Sequence, residues 1–139
     1  MEPFRVRIAV RGYELDTLGH VNQTVYLQYA EHARWEFLSA AGITRQAMAS
    51  AGIAPAALEN TIRYLAELRH GDEVDVTCQF DGSSGKTFRV RQDFIRTDGT
   101  PVAELAAVAG VLDLVKRRLV EDPVGRLRSL ATAPELLNP

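Results

Sequence analysis

The side chains best suited to acid–base or nucleophilic chemistry lie together in one short segment, residues 14–23. It reads Glu-Leu-Asp-Thr-Leu-Gly-His-Val-Asn-Gln, and its candidate reactive groups are Asp16, His20 and Asn22. A helix is predicted to begin at Gln23, and a helix N-terminus offers unpaired backbone N–H groups with about half a positive charge. Such donors stabilise an oxyanion and favour the ionised form of a nearby carboxylate. A carboxylate beside oxyanion donors indicates acyl transfer, although the same residue types also serve as turn and capping residues.

The element that must position this segment is the predicted helix over residues 23–41, which contains neither proline nor glycine. Asn22 caps its start and Gly42 ends it. One apolar face follows the helical repeat and comprises Tyr26, Tyr29, Ala30, Ala33, Phe37 and Ala40. The alanine-rich stretch that follows, residues 43–57, is predicted to hold at most a short helix over residues 45–50, before Pro55 interrupts it.

Alternating and turn-forming residues predict an antiparallel sheet. Phe4, Val6, Ile8 and Val10 alternate with arginines, so the first strand buries one face. Four further strands are predicted over residues 59–68, 73–80, 87–96 and 102–114, because glycine-containing turns separate them. The last of these is apolar on both faces, which indicates a central or interface position. Together these elements predict an α+β fold in which the sheet wraps the long helix.

The C-terminal region is predicted to hold one more helix, over about residues 122–131. Asp122 is its expected cap and Pro123 its first residue. Pro134 and Pro139 are typical of a frayed tail.

Composition excludes several classes of protein. The chain has 139 residues, 16 basic and 18 acidic side chains and a net charge of −2, so it lacks the basic excess of a nucleic-acid binder. Charges interrupt every apolar stretch before about 18 residues, and Glu2 and Arg5 stand where a signal peptide would be hydrophobic. We therefore expect one cytoplasmic domain over residues 1–139, with no membrane partner. A core of this size leaves little room for a deep pocket, so a site shared between subunits is expected.

No metal site is predicted from the histidines and the cysteine. His20, His32 and His70 lack the spacing of a compact ligand pair, and Cys78, the single cysteine, falls on the apolar face of a strand. The cysteine is therefore expected to be a core residue.

The segment Asp16-Thr17-Leu18-Gly19-His20-Val21-Asn22, with Tyr26, Tyr29, Glu31, Ala33 and Arg34 after it, resembles the 4-hydroxybenzoyl-CoA thioesterase family. The similarity continues through Tyr64–Leu68 and the Gly71-Asp72 turn. It implies the hotdog fold, in which an antiparallel sheet of five to six strands wraps one long central helix. It also implies hydrolysis of acyl-CoA or acyl-carrier-protein thioesters without metal or cofactor, in a homodimer or homotetramer with pockets shared between subunits.

The resemblance also assigns roles to residues. Members commonly carry two acidic residues two apart, here Glu14 and Asp16, and the second is the usual catalytic one. Asp16 would be the nucleophile or the general base, and the backbone N–H of Gln23 would bind the carbonyl oxygen. The remaining candidate binding residues are Gly19, His20, Asn22, Tyr26 and Arg34.

Four of these binding residues also have a structural explanation. His20 would be a hydrogen-bonded structural histidine, Asn22 a helix cap and Tyr26 a pocket wall or a structural hydrogen-bond donor, and Arg34 would pair with Glu31 on one helix face.

Three other functions remain open. Related thioesterases of polyketide pathways rely on an arginine at the position of Arg34, but they tend to have Asn where Asp16 stands. Hydratases of this fold place Asp and His five apart around a proline, whereas Asp16 and His20 are four apart without one. A non-catalytic module that binds acyl thioesters or a partner is the third alternative.

Overall fold

The computed structural model describes residues 2–138, which form one six-stranded antiparallel sheet around a long helix. The strands are β1 (Phe4–Ala9), β2 (Ile53–Tyr64), β3 (Glu73–Ser84), β4 (Thr87–Arg96), β5 (Pro101–Asp113) and β6 (Arg118–Leu119). Their spatial order is β1-β3-β4-β5-β2, and β6 pairs with β5. The α+β architecture predicted from the sequence is confirmed, whereas the two-residue β6 was not predicted.

The long helix α1 spans Val25–Ala40 and packs against β1 and β3. Of the predicted apolar face, all members are buried except Ala40, which is exposed, while Leu38 is buried. Phe37 anchors the helix, with its ring centroid 5.6 Å from that of Phe4 and 5.3 Å from that of Phe80. Gly42 ends the helix as predicted, and its φ of +82° is the left-handed conformation that glycine tolerates best.

The segment after α1 differs from the prediction. The second helix, α2, spans Arg45–Ala51, but β2 follows at once from Ile53 and ends at Tyr64. The predicted strand over residues 59–68 therefore begins too late and ends too late. Pro55 lies inside β2, opposite Val111 of β5. Proline is tolerated there because β2 is an edge strand. On the side of an edge strand that faces no other strand, a missing N–H removes no inter-strand hydrogen bond.

The remaining strands follow the predicted order with shifted ends. β4 has the predicted bounds, whereas β3 continues to Ser84 through a bulge, so the hairpin turn lies at Gly85 and Lys86 rather than over residues 82–85. β5 lies between β4 and β2. Its two apolar faces are thus explained by a central position in the sheet.

The C-terminal segment is packed, not frayed. α3 spans Pro123–Arg128, and Asp122 Oδ1 accepts a hydrogen bond from Gly125 N at 3.3 Å, as expected of a cap. Beyond it, Pro134–Leu137 form a 3₁₀ turn whose Leu137 is fully buried. The prediction of a frayed tail was wrong for this part because Leu137 joins the core, while Pro139 lies outside the described residues. Of the helices in the described part, none is both long and apolar enough to span a bilayer.

Candidate active site

The loop before α1 folds back on itself as a tight turn. Leu15 and Val21 form an antiparallel bridge, Asp16 N donates to His20 O at 2.7 Å, and Gly19 N donates to Asp16 O at 3.1 Å. Gly19 has a φ of +80°, a conformation that costs other residues free energy. Gly19 therefore shapes the turn that carries Asp16 and is not among the residues that line the cleft described below.

The carboxylate of Asp16 is held by its own turn. Its Oδ1 accepts hydrogen bonds from Leu18 N at 2.9 Å and His20 N at 3.2 Å. Within residues 2–138, Oδ2 receives no hydrogen bond, and the side chain is exposed. One oxygen thus fixes the orientation of the side chain, while the other has no hydrogen-bond partner among the described residues.

The start of α1 lies two residues later than predicted, because Asn22 organises a turn first. Asn22 Oδ1 accepts from Thr24 N at 2.9 Å and from Thr24 Oγ1 at 2.7 Å, and Val25 N donates to Asn22 O at 2.9 Å. This is an Asx turn that leads into the helix. Asn22 therefore has the structural role of a cap, although the formal N-cap residue is Thr24.

The backbone N–H of Gln23 points to no internal acceptor in the described part of the chain. Its carbonyl accepts a hydrogen bond from the Tyr64 hydroxyl at 2.9 Å, which fixes the peptide of Gln23 against the end of β2. The free donor is therefore rigidly held where the first turn of the helix begins.

These groups share one open cleft of about 490 Å³. Five predicted site residues line it, namely Asp16, His20, Asn22, Gln23 and Tyr26, together with Val21, Tyr64, Leu65, Ala66 and Glu67. The cleft thus brings together a carboxylate, an imidazole and a residue whose backbone N–H has no acceptor within residues 2–138.

Tyr26 is a wall of this cleft. Its ring packs edge-on to Tyr64 with centroids 5.1 Å apart and lies 5.6 Å from Phe94. Burial raises the pKa of Tyr26 to about 12, so the hydroxyl stays protonated at neutral pH.

Arg34 lies apart from this cleft. Its Nε donates to Gln92 Oε1 at 2.8 Å and its Nη2 donates to Asn60 Oδ1 at 2.7 Å. It lines a second, largely apolar cavity of about 100 Å³ together with aromatic side chains such as Trp35 and Phe80. Burial lowers the pKa of the Arg34 guanidinium.

The predicted ion pair between Arg34 and Glu31 is not formed among the described residues. Arg34 instead donates a hydrogen bond to the fully buried Gln92, whose side-chain amide in turn donates to the Ala30 carbonyl. That prediction was wrong because a buried amide from the sheet accepts the hydrogen bond that the neighbouring helical carboxylate was expected to accept.

Glu14 lies at the start of the loop before α1 and is held by hydrogen bonds from both sides of that loop. It is buried, and its Oε1 accepts from Tyr29 OH at 2.6 Å and from Arg11 N at 2.8 Å. Burial opposes ionisation of Glu14, but the hydrogen bonds from Tyr29 and Arg11 prevail and lower its pKa. The family resemblance pairs Glu14 with Asp16, whereas Tyr29 was predicted on the apolar face of the helix and as part of the resemblance, without a role toward Glu14.

Glu67 was missed by sequence reasoning. Its Oε2 lies 2.6 Å from His20 Nε2, and its Oε1 lies 2.5 Å from Arg69 Nη2. The resemblance covers Tyr64–Leu68 but assigns Glu67 no role, and its partner His20 is 47 positions away in the printed sequence.

Metal ligation is not supported by the side chains that the structure describes. Across residues 2–138, no group of three or more His, Cys, Asp or Glu side chains could hold a metal ion. Cys78 is buried in β3, as expected of a core residue.

Comparison with known proteins adds sequence relatives. The chain is 38% identical over 111 residues to the Arabidopsis thaliana acyl-acyl carrier protein thioesterase ATL3, chloroplastic, covering 78% of this chain and 57% of that protein. It is 31% identical over 111 residues to the Escherichia coli long-chain acyl-CoA thioesterase FadM, covering 79% of this chain and 83% of that protein. The chain thus spans about half the length of the plant relatives it matches, 57% of one and 42% of another.

Solved structures and a family comparison agree with these relatives. The crystal structure of YbaW, a probable thioesterase from Escherichia coli, superposes with a TM-score of 0.82 at 28% identity, covering 95% of this chain and 98% of that one. Residues 10–135 match the thioesterase-like superfamily. Because that match covers most of the chain and the expected fold is present around the expected loop, this protein belongs to the thioesterase-like superfamily of hotdog proteins.

Proposed function

We propose that this protein hydrolyses acyl thioesters, with Asp16 as the reacting carboxylate. The observation that carries the proposal is that Asp16 and Gln23 line the same cleft and that the backbone N–H of Gln23 has no acceptor among residues 2–138. Membership of a thioesterase superfamily supports the reaction class.

The reaction needs two things from the chain. The thioester carbonyl oxygen accepts a hydrogen bond from Gln23 N–H at the start of α1, where the helix dipole also favours negative charge. Losing one such donor typically costs about 3–4 kcal/mol of transition-state stabilisation, and among substitutions at position 23 only proline removes the N–H.

Asp16 then acts in one of two ways. As a nucleophile, its carboxylate attacks the carbonyl carbon, the C–S bond breaks and the thiolate departs. The acyl-aspartyl anhydride that remains is then hydrolysed by water. As a general base, it takes a proton from the water that attacks the carbonyl directly. Both routes end in a free acid and a free thiol.

The substrate class follows from the relatives. Those named above are thioesterases for acyl-acyl carrier protein or long-chain acyl-CoA. We extend both carriers to this chain and leave the acyl group to experiment.

The test is the release of free thiol from short, long and aromatic acyl-CoAs and from acyl-carrier proteins. Asp16→Asn retains an Oδ1 acceptor for Leu18 N and His20 N, so its turn should persist. Its turnover should fall at least roughly 100-fold. Asp81→Asn, at an exposed position of β3, is the matched control and should retain activity.

Two results would contradict the proposal. Unchanged turnover in Asp16→Asn would remove the assigned role of Asp16. Binding of the thioesters without thiol release by the wild-type protein would instead favour the non-catalytic acyl-binding module.

The proposal extends to the assembly, which we expect to be a homodimer or homotetramer. The edge strand β2 is 12 residues long and pairs only with β5 within the described range. It exposes apolar side chains, with Leu58 49% and Tyr64 45% accessible. Such an edge is a template for pairing with a second copy. Light scattering across a concentration series should show at least a dimer, and a constant monomer would contradict the shared pocket.

A further inference from the structure

Glu67 is the second carboxylate in the wall of the cleft, and the structure fixes it from two sides. Its side chain is in contact with Arg69, at 2.5 Å, and its backbone carbonyl accepts from Arg96 Nη1 at 3.1 Å. The remaining carboxylate oxygen, Oε2, lies 2.6 Å from His20 Nε2. Each oxygen therefore has its own cationic or N–H partner.

This contact determines which ring nitrogen of His20 carries the proton. An ionised carboxylate only accepts hydrogen bonds, so Nε2 must be the donor. In the neutral imidazole, Nδ1 is then the nitrogen with the lone pair. The pair thus selects one tautomer of a residue that lines the cleft.

His20 is in turn joined to Asp16 through the backbone. His20 N donates to Asp16 Oδ1 at 3.2 Å, and His20 O accepts from Asp16 N at 2.7 Å. The segment that carries Glu67 is also joined to this turn, because Val21 N donates to Leu68 O at 2.8 Å and His20 bridges to Arg69. The residue whose ring contacts Glu67 is therefore part of the same hydrogen-bonded turn as Asp16.

From this chain of contacts we propose that Glu67 is a positioning residue of the cleft, which holds His20 in the Nε2–H form and thereby fixes the turn that presents Asp16. The inference rests on the proposed thioesterase function for its effect on rate. Its structural half, the choice of tautomer, is independent of any activity.

The first experiment measures the tautomer directly. The ¹⁵N chemical shifts of the ring nitrogens, recorded at a pH at which the imidazole is neutral, distinguish the Nε2–H tautomer from the Nδ1–H tautomer. The spectrum of His20→Gln identifies the His20 signals among the three histidines. We expect the Nε2–H form in the wild-type protein and a mixture of both forms in Glu67→Gln, because an amide both donates and accepts.

The second experiment is a double-variant cycle on thioester hydrolysis. Glu67→Gln should lower kcat by about 10-fold with little change in KM, because the partly exposed hydrogen bond from His20 to a charged carboxylate is replaced by a weaker one to a neutral amide. If Glu67 acts through His20, the double variant His20→Gln/Glu67→Gln should lose no more than His20→Gln alone. Glu121→Gln, at an exposed position outside the cleft, is the matched control and should keep the wild-type rate.

The possible outcomes separate the two hypotheses. Losses that multiply in the double variant, or an unchanged tautomer in Glu67→Gln, would overturn the positioning role. A wild-type protein that releases no thiol would refute the proposed hydrolase, while the nitrogen shifts would still decide whether Glu67 orients His20. A thermal melt of each variant, run beside the assays, ensures that only folded protein is compared.

Discussion

Replacing Tyr29 with Phe tests how much the hydrogen bond between α1 and the loop before it stabilises the fold. The Tyr29 hydroxyl donates to Glu14 Oε1 at 2.6 Å, and the two residues are only 3% and 7% exposed. Tyr29→Phe keeps the ring in the core but leaves a buried carboxylate with one donor fewer. The contacts from Arg11, at 2.8 and 3.2 Å, remain.

The expected cost follows from that geometry. A hydrogen bond to a charged group contributes about 1.5–3 kcal/mol, and its removal leaves a desolvated acceptor behind. For a domain of this size, such a loss lowers Tm by roughly 5–10 °C. Tyr13→Phe is the matched control, because the Tyr13 side chain is 84% exposed, and a surface change of this kind costs within about 0.5 kcal/mol.

The difference between Tyr29→Phe and wild type should also depend on pH. The pKa of Glu14 is lowered in the folded state despite its burial, because of the hydrogen bonds from Tyr29 and Arg11. A lowered pKa stabilises the fold above the unfolded value of about 4.3, and this stability is lost as pH falls through the folded value. The difference in Tm between the wild type and Tyr29→Phe should therefore be largest at neutral pH and should decrease in acid.

The assay is thermal unfolding followed by circular dichroism at neutral and acidic pH. If Tyr29→Phe melts with the wild type at neutral pH, or no more than Tyr13→Phe does, the argument that this hydrogen bond secures the loop is refuted. A Tm gap that widens in acid would contradict the assigned charge state of Glu14.

Two further predictions use glycine and cysteine. Gly19→Ala should destabilise the protein by about 1–2 kcal/mol, because φ is +80° there, and should also slow thiol release by moving Asp16. Gly12→Ala is the control and should be tolerated in both urea unfolding and the thioester assay, because its added Cβ meets only His70 Nε2 at 4.0 Å. An equal loss in the two variants would contradict this reasoning. The thiol of Cys78 should not react with a coloured disulfide reagent in the native protein and should react once in urea, because burial raises its pKa to about 12; rapid native reaction would show that β3 opens.

Several parts of this protein follow from local patterns alone. The alternation of β1, the bounds of β4, the apolar face of α1 and the Asp122 cap were all predicted, because side-chain periodicity and capping act within a few residues. The candidate loop was also singled out, since Asp16, His20 and Asn22 are neighbours along the chain, and its catalytic role stays a prediction. Its resemblance to a known family supplied the fold and the reaction class.

Other features depended on partners far away in the chain. The first half of β2 is a run of alanines around Pro55, which has no strand signal of its own and becomes a strand only by pairing with β5. The buried Gln92, not the neighbouring Glu31, bonds Arg34. Leu137 is buried only because the tail packs on the core.

The candidate cleft shows the same division. The amino-acid sequence by itself determined which groups precede α1 and that a carboxylate lies near a helix start, because both follow from adjacency and turn chemistry. Only the tertiary structure decided that Glu67 meets His20, that Tyr64 fixes the Gln23 peptide, and that Arg34 lies in another cavity. These contacts join residues brought together by sheet register and helix packing, which no local pattern specifies.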